Sequence, residues 1–268
     1  MKKTLQELRK SPNYSFSSFS TYLQCSLKWY YRYIEKVEPE STSSNLIFGS
    51  TIHKTLDMVA DRKMLNQTVT YSEIRDCFSL EWGNQLACAK SLDLESPEEA
   101  TELHDKGIEM IEVYLNQWQD KKIVAHADAF SLNVEGISKP LIGEYDLLVQ
   151  DSKGNISIID WKTAARKWNE DKPHKDHQAT LYCFAHEQLT GIMPSFEFHV
   201  ITKGKYPAVQ ILPTTRTEDD SARLIKIFKN AEKGINAGCF VPNEASFYCS
   251  KCEFSQHCAG WGKCQKVA

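Results

Sequence analysis

Two aspartates and a lysine, Asp146, Asp160 and Lys162, have the types and spacing to hold a divalent cation and manage a water molecule. They lie in GEYDLLVQDSKGNISIIDWKT, residues 143–163. Mg²⁺ and Mn²⁺ take oxygen ligands, commonly one or two carboxylates, with water and substrate phosphate completing the shell. A cation so held lowers the pKa of its water and stabilises charge gathering on a phosphoryl group. A neighbouring lysine can orient that water or neutralise the charge. The chemistry such a set could perform is metal-assisted hydrolysis of a phosphodiester. Asp-x-Lys is also a common tripeptide, and a strand-end acid beside a solvated lysine is the plain alternative.

Positioning these groups falls to two strands, 141–150 and 156–162, around a turn at 151–155. A three-residue loop, Ser152–Lys153–Gly154, puts glycine at the final left-handed position that such loops favour. That register pairs Asp151 with Asn155 and therefore Asp146 with Asp160. Asp160 and Lys162, two apart, share a strand face. Opposed carboxylates about 5 Å apart destabilise a sheet unless a cation lies between them.

A second constellation is Cys249-Ser-Lys-Cys252, with Cys258 six residues on. Three thiolates leave a tetrahedral Zn²⁺ site or a four-iron cluster one ligand short. Spacing leaves Cys25, Cys239, His257 and Cys264 open as the fourth. The chain has nine cysteines and no export signal, which favours metal use over disulfides in a cytoplasmic protein. Cys77, Cys88 and Cys183 fall in helical patterns and are expected to be small core residues.

The 268 residues are 41% hydrophobic and 25% charged, the profile of a globular chain. No run is long enough to cross a membrane. The net charge of −3 excludes a generally basic nucleic-acid binder but leaves room for one basic groove. Residues 1–14 read as a leader with at most one helical turn. An aromatic helix then follows, with Ser17 or Ser18 as its N-cap. Its Lys28, Trp29, Tyr30, Tyr31 and Arg32 interleave charge and rings as a DNA-binding surface would. Arg166, Lys167 and Trp168 are a further candidate groove lining. A helix near 46–64 carries Ile52, Leu56 and Val59 on one face, and His53 with Asp57 one turn on. Residues 70–120 read as two or three helices, broken near 96–99. Strands follow at 123–136, 141–150, 156–162, 195–202 and 208–213. Helices follow at 177–189 and 217–236. The tail, 239–264, is irregular.

Taken together, G-x-x-D, I-I-D-W-K-T and H-Q-A-T-L-Y resemble the PD-(D/E)XK nuclease superfamily in its RecB-like, iron–sulfur branch. The likeness extends from SFSSFSTYLQC to the cysteine tail. It implies one α/β domain over 1–268: a restriction-endonuclease-like central mixed sheet flanked by helices. A helical insertion at 65–120 and a Cys-rich tail at 239–264 closing on the N-terminal helix complete it. It implies that His53 of G-x-x-x-H, Asp146, Asp160 and the carbonyl of Trp161 hold Mg²⁺ or Mn²⁺. Lys162 then assists the water, Gln178 supports the constellation and Tyr182 contacts DNA. It picks Cys25 to join Cys249, Cys252 and Cys258 around a 4Fe-4S cluster, with Zn²⁺ as the alternative. The activity implied is an exonuclease on single-stranded DNA ends, leaving 5′-phosphates, in recombination, repair, phage or CRISPR-type processing. No helicase motor is present, so a helicase or recombination partner would be a separate chain. Two rivals are a non-catalytic DNA-binding subunit of this fold and a zinc-binding interaction protein.

Overall fold

A computed structural model describes residues 3–89, 91–94, 96–118, 121–246 and 248–262. The expected leader is part of the fold. Helix α1 (Leu5–Leu8) is closed by a Thr4–Glu7 capping box, and β1 (Tyr14–Ser15) joins the sheet. Ser15, rather than Ser17 or Ser18, caps α2 (Phe16–Gln24) by accepting from the Ser18 N–H. Cys25 ends that helix and caps α3 (Ser26–Tyr30), which runs into one turn of π-helix at Tyr31–Glu35. The long α4 (Ser44–Met64) follows, then α5 (Tyr71–Cys88) and α6 (Pro97–Leu115).

The main strands come next: β2 (Lys122–Leu132), β3 (Leu141–Gln150) and β4 (Ile156–Ala164). Then come α7 (His177–Thr190), β5 (Ser195–Thr202), β6 (Val209–Thr214) and α8 (Glu218–Asn236). In the tail a 3₁₀ turn at Cys249–Lys251 and a short α9 (Ser255–Ala259) interrupt irregular chain. Among the described residues the sheet has six strands in the order β1-β3-β4-β5-β6, with β2 on the other edge of β3. It is mixed: β1–β3 and β4–β5 are parallel and the remaining pairs antiparallel.

The β3–β4 register is the expected one. Gly154 has φ +89°, and Asp151 N–H bonds the Asn155 carbonyl at 3.0 Å. The ladder stops at Leu147↔Ile159, one pair short of Asp146 and Asp160. Beyond it β4 stays with β5, pairing Asp160 with Phe198, while β3 pairs with β1 only at Leu141 and Ile142. The sheet therefore splits along one edge of β3 between Ile142 and Leu147.

Each sheet face buries its own core. Ile52, Leu56 and Val59 of α4 pack with Leu147, Val149, Ile159 and Trp161, beneath Phe78 of α5 and Met110 of α6. On the opposite face Leu148, Ile158, Phe196 and Phe198 meet Leu181 of α7, Phe228 of α8 and Phe19 of α2. A small third cluster joins Leu27 and Tyr31 to Phe254 of the tail, with Cys25, Cys252 and Cys258 against it. Burial of these apolar surfaces, at roughly 25 cal/mol per Å², fixes the helices on the two faces of the split sheet. Cys183 is buried and Cys77 half-buried, but Cys88, the last residue of α5, is exposed.

Candidate active site

The split in the sheet is where the acidic residues meet. Alternation along β4 sends Trp161 into the core under α4, while Asp160 and Lys162 reach α7. Asp160 is 1% exposed. Its Oδ2 lies 2.6 Å from Lys162 Nζ, and its Oδ1 accepts from Gln178 Nε2 at 2.7 Å. The Gln178 carbonyl oxygen accepts from Lys162 Nζ at 2.9 Å. One amide thus joins acid and lysine in a closed triangle. Gln178 is itself fixed in the first turn of α7, where Asp176 caps its backbone N–H at 2.8 Å.

Asp146 is held from the other side. Its Oδ2 accepts the Trp161 backbone N–H at 2.8 Å, and its Oδ1 lies 3.3 Å from His53 Nδ1. His53 comes from α4, so residues of both sheet faces converge at the split. The expected His53–Asp57 pair does not form. Asp57 lies instead 3.9 Å from His126 Nδ1. Partial burial opposes protonation of His53, but Asp146 outweighs it and holds the ring up to about 9. For Asp160, burial is the main cause that pushes the carboxyl up to about 6; Asp146 adds to it and Lys162 opposes it.

Beneath the site runs a buried polar chain with no local mark in the sequence. Trp161 Nε1 donates to the Tyr114 hydroxyl at 2.8 Å, and that hydroxyl lies 2.8 Å from His199 Nδ1. His199 Nε2 meets Glu197 at 3.2 Å, and Glu197 pairs with Lys121 at 2.7 Å. The chain anchors α6 to the strand that carries Asp160 and Lys162. Its members lie 47 and 85 positions apart along the sequence, so no spacing pattern exposes them.

Tyr182 does not face solvent. It is 8% exposed and packs edge-on against Phe130 and Tyr145, so a stacking contact with DNA is not its position. Gly143 makes that packing possible, since a Cβ there would lie 2.4 Å from Phe130 and 3.1 Å from Tyr182. The aromatic, basic stretch after Cys25 also turns inward. Lys28 pairs with Glu253 at 2.8 Å, and Arg32 pairs with the same carboxylate. Trp29 is buried and donates to Ser18 at 3.0 Å. This surface is a seam to the tail rather than a free face. Trp168 is likewise occupied: its N–H donates to Gln210 at 2.9 Å, and Lys172 lies over its ring. Arg166 and Lys167 are exposed.

The sequence model of the PD-(D/E)XK nuclease superfamily matches residues 13–259. The chain belongs to this superfamily. Its fold is similar to that of a crystal structure named "Putative exonuclease" from Eubacterium rectale, at TM-score 0.58 and 13% identity. That match covers 100% of this chain and 96% of the other. The crystal structure of SSO0001 matches more distantly, at TM-score 0.35 and 13% identity, over 82% of this chain and 87% of that one. No curated protein matches the chain.

Members of the PD-(D/E)XK superfamily generally use divalent metals. Among the described residues, no three His, Cys, Asp or Glu side chains stand in a ready metal cage, and none of the helices is long and apolar enough to cross a membrane. At the split, however, the donor types suit a hard cation. Two carboxylates and one imidazole converge there, and Asp160 Oδ2 faces Lys162 without an aligned hydrogen bond.

Near the chain's other end, Cys25, Cys249, Cys252 and Cys258 line one cavity of about 220 Å³, walled by Leu27, Tyr31 and Phe254. Burial is the main cause that raises the thiols of Cys252 and Cys258, and the neighbouring cysteines add to it. Cys239 and His257 do not line the cavity, and Cys264 lies outside the described residues.

Proposed function

We propose that this chain is a Mg²⁺- or Mn²⁺-dependent deoxyribonuclease acting as an exonuclease on single-stranded DNA ends. The observation that carries this reading is the convergence at the sheet split. Gln178 locks Asp160 to Lys162, while His53 and the Trp161 N–H hold Asp146 beside them. Such a set has no evident use in stability. Holding the partly exposed Asp146 beside the buried Asp160 is costly, and a divalent ion would offset that cost.

Asp146, Asp160, His53 and the Trp161 carbonyl would hold the ion. When bound, it acidifies a water and neutralises charge on the scissile phosphate. Lys162, kept charged by Asp160, presents an ammonium to the attacking water or the phosphoryl oxygens. Gln178 fixes the direction of both groups, and Tyr182 supports the base of α7. Hydrolysis would leave 5′-phosphates. The test is end-labelled single-stranded DNA incubated with Mn²⁺, with Mg²⁺ or with chelator. Stepwise shortening that needs the metal supports the reading. Intact DNA under every condition removes it and favours a non-catalytic DNA-binding subunit.

The cysteine cavity is a second part of the proposal. Four thiols around one space with apolar walls suit a 4Fe-4S cluster. A single Zn²⁺, held by bonds of about 2.3 Å, would leave less room between the sulfurs. In that role Cys25 staples the N-terminal helices to the tail. It is a structural link, because closing so long a loop restricts the unfolded chain.

A further inference from the structure

We propose that a basic groove between the end of α1 and the segment after Cys25 binds the phosphodiester backbone of the single strand on its way to the sheet split. The inference rests on the nuclease reading and adds a site to it. The groove encloses about 540 Å³, and Arg9, Lys10, Lys36 and Lys139 line it with no carboxylate among the lining residues. In a chain of net charge −3 that is a concentration of one sign. Arg9, Lys10 and Lys36 are exposed, and Lys139 lies over the Tyr14 ring, 4.8 Å from its centroid. Ser15 and Ser17 hydrogen-bond to each other at 2.9 Å, and the hydroxyl of the pair that accepts keeps its own O–H as a neutral donor of the kind that phosphate oxygens accept.

The groove also points at the site. Helix α1 packs against β2 and β3, and Arg9 acts electrostatically on Glu144, two residues before Asp146. The opposite wall, ending at Lys36 in a left-handed conformation (φ +53°), continues directly from the π-turn that follows Cys25 and α3. The groove thus lies between the segment that follows Cys25 and the helix that packs on the strand carrying Asp146. A second lysine-lined cleft, with Lys63, Lys121 and Lys122, is a weaker candidate. There Lys121 is committed to Glu197 and Lys63 covers the Trp118 ring.

The test measures binding separately from cutting. A fluorescein-labelled 20-mer of thymidine is titrated with the full-length protein in EDTA, by anisotropy, at several salt concentrations. The same proteins are assayed for cleavage with Mn²⁺. Lys10→Ala/Lys36→Ala/Lys139→Ala should weaken binding about tenfold or more, and flatten the salt slope by about 2, at about 0.7 per single-strand phosphate contact. Lys63→Ala/Lys122→Ala/Lys226→Ala removes equal charge elsewhere and should stay within about twofold of wild type. Arginine at positions 10, 36 and 139 should restore binding, which excludes misfolding as the cause. Unchanged binding by the groove variant, or an equal loss in the control, overturns the groove while wild-type cleavage leaves the nuclease reading standing. Wild type that neither binds nor cuts overturns both.

Discussion

The backbone N–H of Trp161 donates to Oδ2 of Asp146 at 2.8 Å. This bond spans the place where the β3–β4 ladder has already ended, so a carboxylate takes over a strand's role. It ties the orientation of Asp146 to the backbone between Asp160 and Lys162. Anything that moves Trp161 therefore moves both halves of the candidate site.

Tyr114 is the first place to test that coupling. Tyr114→Phe leaves the buried Trp161 Nε1 and His199 Nδ1 without their shared partner. An unsatisfied buried group costs about 1–3 kcal/mol, so urea unfolding should show a loss of that size. Cleavage should slow severalfold at temperatures where both proteins are folded. DNA affinity should not change, since Tyr114 is buried on the face away from α7.

Gly143 offers a packing test. Gly143→Ala drives a methyl into the Phe130 ring and should cost about 1–3 kcal/mol. Phe130→Leu in the same chain should recover part of that cost. Additive losses in a double-mutant cycle would mean that the two residues do not compete for this space.

How far the site could be read from the sequence follows from its geometry. The turn signal at Gly154 fixed the β3–β4 register, so the proximity of Asp146 and Asp160 was legible. His53, Gln178 and Tyr182 carried helical spacing and a family likeness, but not their directions. His53 chose Asp146 over its local neighbour Asp57, and Tyr182 turned into the core. Both outcomes depend on which faces pack, which local periodicity does not encode. The Lys28–Arg32 stretch misled because an exposed-looking basic helix met Glu253, more than 200 positions away. The Tyr114–His199 chain left no mark at all.

His126 gives a prediction in pH. The Asp57 carboxylate, 3.9 Å from its Nδ1, is the main cause that raises its pKa, and Asp61 adds to it. A raised folded-state pKa contributes stability that is fully present below the unfolded value, near 6.5. That stability is lost as pH rises through the folded value. The melting temperature of wild type should therefore fall relative to His126→Gln from mildly acidic to mildly alkaline pH. Taking the difference cancels other titrating groups, including His53. The pair is partly exposed, so the span should stay below about 1 kcal/mol. A constant difference across pH would remove the ion pair.

The cysteine cavity predicts a composition. Protein purified without oxygen should be brown, with about four iron and four sulfide per chain. Cys25→Ala should lose the iron, and Cys239→Ala, outside the cavity, should keep it. Colourless protein carrying about one zinc would contradict the cluster.

The central claim is that Asp160 belongs to a metal-dependent nuclease site, and one comparison tests it most directly. Wild type and Asp160→Asn, an isosteric change that keeps a partner for Gln178, are incubated with end-labelled single-stranded DNA and Mn²⁺. Wild type should shorten the strand to 5′-phosphate products, and the variant should be slower by about 10²–10³-fold with its melting profile intact. Equal degradation by both, or intact DNA with both, would contradict the assignment.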